Sequence, residues 1–256
     1  MIPAIIPPLT GLSVLVTRPA SQAFSLAAAV EQLGGTAILL PAINIVPLDA
    51  AITAGHDLVI FVSVNAVAHG ARFITKSTTT RIAAIGHATA AALAAAGLPV
   101  DLVPESGFNS EGLLAHPDLN LAPSARVLIV RGAGGRELLQ ESFAAQGCMI
   151  ETLDVYQRAL PDIDATRRAA IEALWSEGGI DIVTATSVET LQNLVALLSE
   201  RGRELINGTP LLVASKRIML AAAEMGLRGE CLLAAGADDA ALIGALSYWH
   251  GRARSS

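Results

Sequence analysis

The chain sets out three strand–turn–helix units and then sets them out again. Val14-Leu15-Val16-Thr17-Arg18 leads into a helix-like stretch ending at Gly34, and Val127-Leu128-Ile129-Val130-Arg131 into one ending at Gly147. Both arginines stand 16 residues before their glycine. Asp57-Leu58-Val59-Ile60-Phe61-Val62-Ser63 pairs with Asp181-Ile182-Val183-Thr184-Ala185-Thr186-Ser187, each Asp six residues before its Ser. Gly86 to Gly97 pairs with Ser215 to Gly226, both eleven residues apart across an Ala-rich helical stretch. Matched units in the same order imply two similar α/β halves, and two halves facing each other create a cleft. With only two long copies, the repeat is not a solenoid.

Apolar runs of four to six residues, each followed by a turn and an Ala/Leu-rich helix, are the signature of parallel strands covered on both faces. The pattern places strands near 13–17, 36–40, 58–62, 82–86, 100–103, 126–130, 149–153, 181–185, 210–214 and 230–233. Helices fall near 20–33, 64–73, 87–96, 109–115, 135–146, 165–177, 188–200, 216–225 and 238–249. Strands alternating with helices give doubly wound sheets. Leu40 to Leu48 and Leu153 to Pro161 break the rhythm. Pro41, Pro47 and Pro161 resist helix and favour extended connectors there. The chain therefore divides into a first, discontinuous α/β domain of residues 1–42 plus 158–256 and a second of 43–157. A two-segment extended linker joins them, and the active site is expected in the interdomain cleft, at loops following strand C-terminal ends.

Composition narrows the partners. At 52% hydrophobic and 16% charged, the chain can bury a large core and is not a disordered protein. A mean hydropathy of +0.53 raises the membrane question. No run reaches 18 uninterrupted apolar residues, however, and the N-terminal Met1-Ile2-Pro3-Ala4-Ile5-Ile6-Pro7-Pro8 lacks a basic region and is broken by prolines. The expectation is a cytoplasmic protein with no membrane partner. Cys148 and Cys231 have no partner spacing and read as reduced thiols. A net charge of -6 argues against nucleic acid. Of the 17 basic residues only Lys76 and Lys216 are lysines, so anion recognition falls to arginine, hydroxyls and helix starts.

Arg131-Gly132-Ala133-Gly134-Gly135-Arg136-Glu137 lies between a strand and a helix. Glycines there admit an anion close to the backbone N–H groups, and the helix start adds its positive dipole end. A dinucleotide fingerprint would need glycine where Glu137 stands, and no phosphate-loop motif occurs. A glycine-rich βα turn is an equally good reading of the glycines alone, and the flanking arginines favour carboxylate binding. Ser63 and Ser187 open helices in the two halves, with Asn65 inside the first of them. Capping accounts for each serine singly. Gly86 and Ser215 open equivalent helices, with Thr89 and Arg217 the side chains best placed to reach a ligand. Asp238 and Asp239 stand at a helix start, where capping explains them. His56, His69, His87, His116 and His250 form no metal pattern, and no Ser-His-Asp set or nucleophile elbow exists. Tyr156, at a connector, either packs there or donates a proton or hydrogen bond to a leaving group.

The ordered set of these motifs resembles the uroporphyrinogen-III synthase family. The residues that carry the resemblance are Val14 to Pro19 with Gln22, Phe61 to Val67, Ala84 to Thr89, Asn109 to Leu114, Leu128 to Gly132 with Gly135-Arg136, Val155 to Arg158, and Val213 to Ile218. They span about residues 11 to 246. His87 and Lys216 stand where the family pattern varies and carry no weight. The resemblance implies two α/β domains joined by a two-stranded linker, with no cofactor and no metal. It implies a small-molecule substrate, the linear hydroxymethylbilane, and a product, uroporphyrinogen III, on the route to haem. In that chemistry the terminal hydroxyl leaves to give an azafulvene, ring D attacks through its substituted carbon, and a spiro intermediate reopens and closes with ring D inverted. Eight substrate carboxylates suit Arg18, Ser63, Asn65, Gly86, Thr89, Arg131, Gly132, Gly135, Arg136, Ser187, Ser215 and Arg217. Tyr156 matches the family tyrosine assigned to hydroxyl departure. The protein is expected to act as a monomer. Its rivals are a non-catalytic two-domain binding protein for a small polyanion and a Rossmann-type methyltransferase or dehydrogenase, the latter opposed by the missing glycine fingerprint.

Overall fold

Strand residues of this chain alternate between two cores, which fixes the architecture. A computed structural model describes residues 7–53, 55–107, 109–135 and 137–253. In chain order the elements begin with β1 (Ser13–Val16), α1 (Ala20–Gln32), β2 (Thr36–Leu39) and β3 (Asn44–Pro47). Next come β4 (Leu58–Phe61), α2 (Val64–Gly70) with a 3-10 turn (Ala71–Phe73), β5 (Arg81–Ala84), α3 (His87–Ala95) and α4 (Ser110–Leu114). They continue with β6 (Arg126–Gly132), α5 (Leu138–Ala145), β7 (Met149–Ala159) and α6 (Ala165–Ser176). The last are β8 (Ile182–Ala185), α7 (Val188–Leu197), α8 (Glu200–Gly208), β9 (Leu211–Val213), α9 (Lys216–Glu224), β10 (Cys231–Leu233) and α10 (Asp239–Ala253). No helix among the described residues is long and apolar enough to cross a membrane.

The chain forms two compact units. Unit 1 comprises Met1–Asn44 and Ala159–Ser256, and unit 2 comprises Ile45–Arg158. Unit 1 holds a five-stranded sheet in the order β10-β9-β8-β1-β2, with parallel registers. Val14, Val16, Ile182 and Leu212 point to a core with α1 and α10, while Leu15, Val183, Leu211 and Val213 point to one with α6, α7, α8 and α9. Unit 2 holds the order β3-β7-β6-β4-β5, with β7, β6, β4 and β5 parallel. Val59, Phe61, Leu128 and Val130 pack with α2 and α3; Leu58, Ile60, Val127 and Ile129 pack with α4 and α5. The period of two along strands buried on both faces thus yields doubly wound sheets.

The matched strands occupy matched places. β9-β8-β1-β2 in unit 1 corresponds to β5-β4-β6-β7 in unit 2. Yet the repeats are shared out: Arg18's unit joins the sheet of Ser187 and Ser215, and Arg131's unit joins that of Ser63 and Gly86. The paired aspartates brace these sheets. Ser13 N–H donates to Asp181 Oδ2 at 2.7 Å, and Arg126 N–H donates to Asp57 Oδ2 at 2.8 Å. In each case the Asp N–H returns a bond to the same residue's carbonyl, at 2.9 Å. The carboxylates satisfy the first donors of β1 and β6, which no ladder reaches.

The structure departs from the expected elements in several places. The helix expected over 188–200 ends at Leu197 as α7, and α8, which the sequence pattern does not place, follows over Glu200–Gly208. Leu198 is extended, and Ser199 caps α8 while the buried Glu172 carboxylate accepts its N–H at 2.9 Å. The strand expected near 100–103 reduces to a bridge between Leu102 and Ala83, because Pro99 and Pro104 flank it and offer no N–H. The strand expected over 149–153 runs on through Ala159, and the first connector contains β3. Asp239 does more than stand at a helix start. Asp238 caps Ala241 N–H at 2.9 Å, but Asp239 pairs with Arg18.

Candidate functional site

In unit 2 a bulge aims the tyrosine. Arg131 on β6 pairs with Asp154 on β7, but Gly132 pairs with Tyr156, leaving Val155 as the extra residue. A bulge bends its strand and redirects the side chains that follow. Val155 and Tyr156 consequently enter the same core cluster, although a regular strand would send neighbours to opposite faces. Tyr156 is 1% exposed.

The ring lies over the end of β6, and glycine there is a requirement. A Cβ at Gly132 would fall 2.5 Å from Tyr156 Cζ and 2.9 Å from its hydroxyl, far inside contact distance. The phenol meets Ser63 Oγ at 3.2 Å. Ser63, in extended conformation just after β4, is the N-cap of α2 and accepts Ala66 N–H at 3.0 Å. His69 on α2 holds its ring 6.0 Å from the tyrosine ring, tilted by 42°. The Arg158 guanidinium stands over the phenol ring at 5.8 Å, within cation–π range. Ala133 N–H donates to the Tyr156 carbonyl at 2.8 Å, so the turn after β6 is tied to the same residue.

Around this centre the structure spreads the other candidates of unit 2. Arg131 is mostly buried, and its Nε donates to Asp154 Oδ1 at 2.9 Å. The carboxylate holds one edge of the guanidinium, which orients the rest of the fork. Gly134 takes a φ of +71°, which only glycine adopts freely, and turns the chain towards α5; Gly135 follows it. Arg136 lies outside the described residues. Asn65 is half-buried in the first turn of α2. Gly86 caps α3 with Thr89 in its first turn, beyond β4 on the side away from β6. Thr89, expected to reach a ligand, is 4% exposed and belongs to the packed interior.

Unit 1 presents its own set at the ends of β1, β8 and β9. Arg18 is 9% exposed, pairs with Asp239 at the start of α10, and keeps its Nε buried without a hydrogen-bond partner among the described residues. Ser187 caps α7, accepting Thr190 N–H at 3.0 Å and meeting Thr190 Oγ1 at 2.8 Å. Ser215 occupies the N-cap of α9 without a side-chain capping bond, and Arg217 in the first turn is exposed. Sequence reasoning misses Asp154, His69 and the Arg18–Asp239 pair. Asp154 carries a signal, since it lies two residues before Tyr156 on one strand; the other contacts have none.

The set is rich in hydrogen-bond donors and poor in nucleophiles. Burial pushes the thiols of Cys148 and Cys231 up, which disfavours the reactive thiolate. Among the described residues no three His, Cys, Asp or Glu side chains gather as a metal site.

Comparison with known proteins adds names. The family model described as "Uroporphyrinogen-III synthase HemD" matches residues 25–243. Uroporphyrinogen-III synthase of Salmonella typhimurium is 33% identical over 250 residues, covering 92% of this chain and 100% of that protein. The Escherichia coli K12 protein of the same name is 32% identical over 249 residues, with the same coverage. Among solved structures, uroporphyrinogen-III synthetase from Helicobacter pylori 26695 aligns with a TM-score of 0.59 at 13% identity, covering 91% of this chain and 97% of that one. A mutant uroporphyrinogen III synthase from the extremely thermophilic bacterium Thermus thermophilus gives 0.52 at 20%, covering 91% and 96%. At such identities the structural likeness speaks for the fold alone.

Proposed function

The chain belongs to the uroporphyrinogen-III synthase family, the cyclising lyases of haem and porphyrin biosynthesis, and we propose that Tyr156 carries the chemical step on hydroxymethylbilane. The observation that carries this reading is the placement of one phenol. It lies over Gly132, hydrogen-bonded to Ser63, at the strand ends where open α/β sheets bind ligands.

Hydroxide is a poor leaving group and departs as water once a proton is supplied. In the reading, the phenol proton moves to the terminal hydroxyl, the C–O bonding pair leaves with water, and the pyrrole nitrogen's lone pair forms the azafulvenium cation. The substituted carbon of ring D then attacks, and the spiro intermediate reopens and recloses. The proton shed when the last pyrrole regains aromaticity returns to the phenolate, so one water is lost and no charge remains. Unaided, the bilane closes without inversion, so most of the work is positioning. Arg131, held by Asp154, with Asn65, Gly86, Gly132, Gly135 and Arg136, would receive substrate carboxylates in unit 2. Arg18, Ser187, Ser215 and Arg217 would do so in unit 1, through charge-assisted hydrogen bonds. Because Tyr156 is nearly inaccessible, substrate entry must part the side chains around it, His69 and Arg158 among them.

The test is direct. The protein is incubated with enzymatically generated hydroxymethylbilane, and isomers I and III are separated by chromatography. Isomer III in excess of the uncatalysed background supports the activity. Isomer I at the background rate would favour a polyanion-binding protein instead.

A further inference from the structure

We infer that Ser63 acts through Tyr156, as the hydrogen-bond donor that stabilises the phenolate formed when the phenol gives up its proton, and not as a contact to the substrate. The inference rests on the proposed role of Tyr156 and adds to it the group that makes that role possible.

A serine hydroxyl has one proton and two lone pairs. In Ser63 one lone pair is committed, because Ala66 N–H donates to it at 3.0 Å. The phenol oxygen lies 3.2 Å away. If the phenol proton points to a leaving hydroxyl, the Ser63 proton is left to point at the phenol oxygen. That bond is modest while the phenol is neutral and strengthens as the oxygen becomes anionic, since charge-assisted bonds are about twice as strong as neutral ones. An interaction stronger in the transition state than in the ground state accelerates the step. The Arg158 guanidinium over the ring favours the same charge, whereas burial of Tyr156 removes the water that would solvate the oxygen and leaves that task to the Ser63 hydroxyl. Among the described residues of unit 2, His69, whose ring is tilted against the phenol, and the Arg131–Asp154 pair beside Gly132 are further titratable groups close by. Gly132 and the bulge at Val155 bring the phenol to the serine, and the capping bond keeps the serine from turning away.

A double-mutant cycle in the full-length protein separates this role from substrate binding. Turnover and KM for hydroxymethylbilane are measured for the wild type, Ser63→Ala, Tyr156→Phe and the double variant. The expected result is a loss of about tenfold in turnover for Ser63→Ala at unchanged KM, as for removal of one bond to a charged group. Adding Ser63→Ala to Tyr156→Phe should then cost nothing further. Ser63→Thr, which keeps hydroxyl and cap, should restore turnover. Ser63→Asp keeps the cap but only accepts hydrogen bonds, so it should stay folded and turn over at least as slowly as Ser63→Ala. That variant decides the matter if the alanine protein fails to fold. Equal losses from Ser63→Ala in both backgrounds, a rise in KM at normal turnover, or an active Ser63→Asp would each overturn the inference while leaving the tyrosine reading intact. Normal turnover in Tyr156→Phe would overturn both.

Discussion

In unit 2 the arginine strand ends in Gly132, and Tyr156 stands 25 residues after Arg131; in unit 1 the residues at the same spacings from Arg18 are Pro19 and Ile43. The serine of unit 2 meets a phenol, whereas Ser187 meets the Thr190 hydroxyl of its own helix. The arginines differ too. Arg131 pairs with an aspartate on the neighbouring strand, and Arg18 with one on α10. Four strands in the same order and the same aspartate braces therefore carry two different sets of side chains at their ends. The apolar pattern builds the sheet in both units, and a few side chains beyond the strand ends decide what each can do.

The sharpest way to break this contrast is at the two positions themselves. Tyr156→Phe keeps the ring and removes the donor, so turnover should fall by roughly 10²-fold, within the range of general acids, while the melting temperature hardly moves. Ile43→Val should cost about 1 kcal/mol of stability and leave turnover alone. Steady-state kinetics and thermal melts on both variants check this. A comparable loss of turnover in Ile43→Val would erase the distinction between the units, and a fully active Tyr156→Phe would make the phenol a core group.

The arginines at strand and helix ends come next. Arg131→Ala should weaken bilane binding by about 1.5–3 kcal/mol if its contact is desolvated, read as a raised KM in a folded protein. Arg217→Ala, at an exposed site in unit 1, should cost about 0.2–1 kcal/mol, the range of solvent-exposed ion pairs. The reverse order would mean that unit 1, not unit 2, grips the substrate more strongly.

A smaller effect is expected on stability from Gly132→Ala. Its methyl group would collide with Tyr156, and overpacking of this kind costs about 1–3 kcal/mol, together with a drop in turnover as the phenol shifts. Pro19→Ala puts no methyl against a ring, so its melting temperature should move less. Equal melts for the two would show that the ring yields freely.

The smallest effect is on acid sensitivity. In unit 2, burial pushes the Glu151 carboxyl up. Hydrogen bonds from the Thr53 hydroxyl, from His56 at 2.8 Å and from Thr53 N–H at 3.1 Å outweigh it and hold the group below its ordinary value. Asp101 behaves alike: burial raises it, but the bond from Lys76, the Ile82 N–H and the nearby charges of Lys76 and Arg81 bring it down. A carboxylate lowered in the folded state contributes stability above its unfolded value and loses it as pH falls through the folded one. Both groups belong to unit 2. Hydrogen exchange followed from about pH 6 to below about pH 4, through the usual carboxylate range, should therefore show the amides of β4, β6 and β7 losing protection before those of β1, β8 and β9. Glu151→Gln with Asp101→Asn should narrow that gap, and unit 1 opening first would reverse the comparison.

The sequence by itself determined the local structure. Runs such as Leu58–Phe61 and Val127–Val130 specify buried parallel strands. Ser63 and Ser187 announce their helices, and the alternating strand–helix rhythm sets the doubly wound class, because each of these depends on neighbours within a few residues. Its limits are equally physical. The split between α7 and α8 depends on Glu172, which reaches Ser199 from another helix. Asp57 and Asp181 were visible as a repeat, but their bracing of β6 and β1 appears only when the strands adjoin. The contact on which the proposal rests, Ser63 with Tyr156, joins residues 93 apart in the chain. It exists because β4, β6 and β7 lie side by side and because one extra residue, Val155, rotates the phenol onto Gly132. A bulge has no period, and a pairing between distant strands leaves no mark on either one, so only the tertiary structure decided where the phenol would stand.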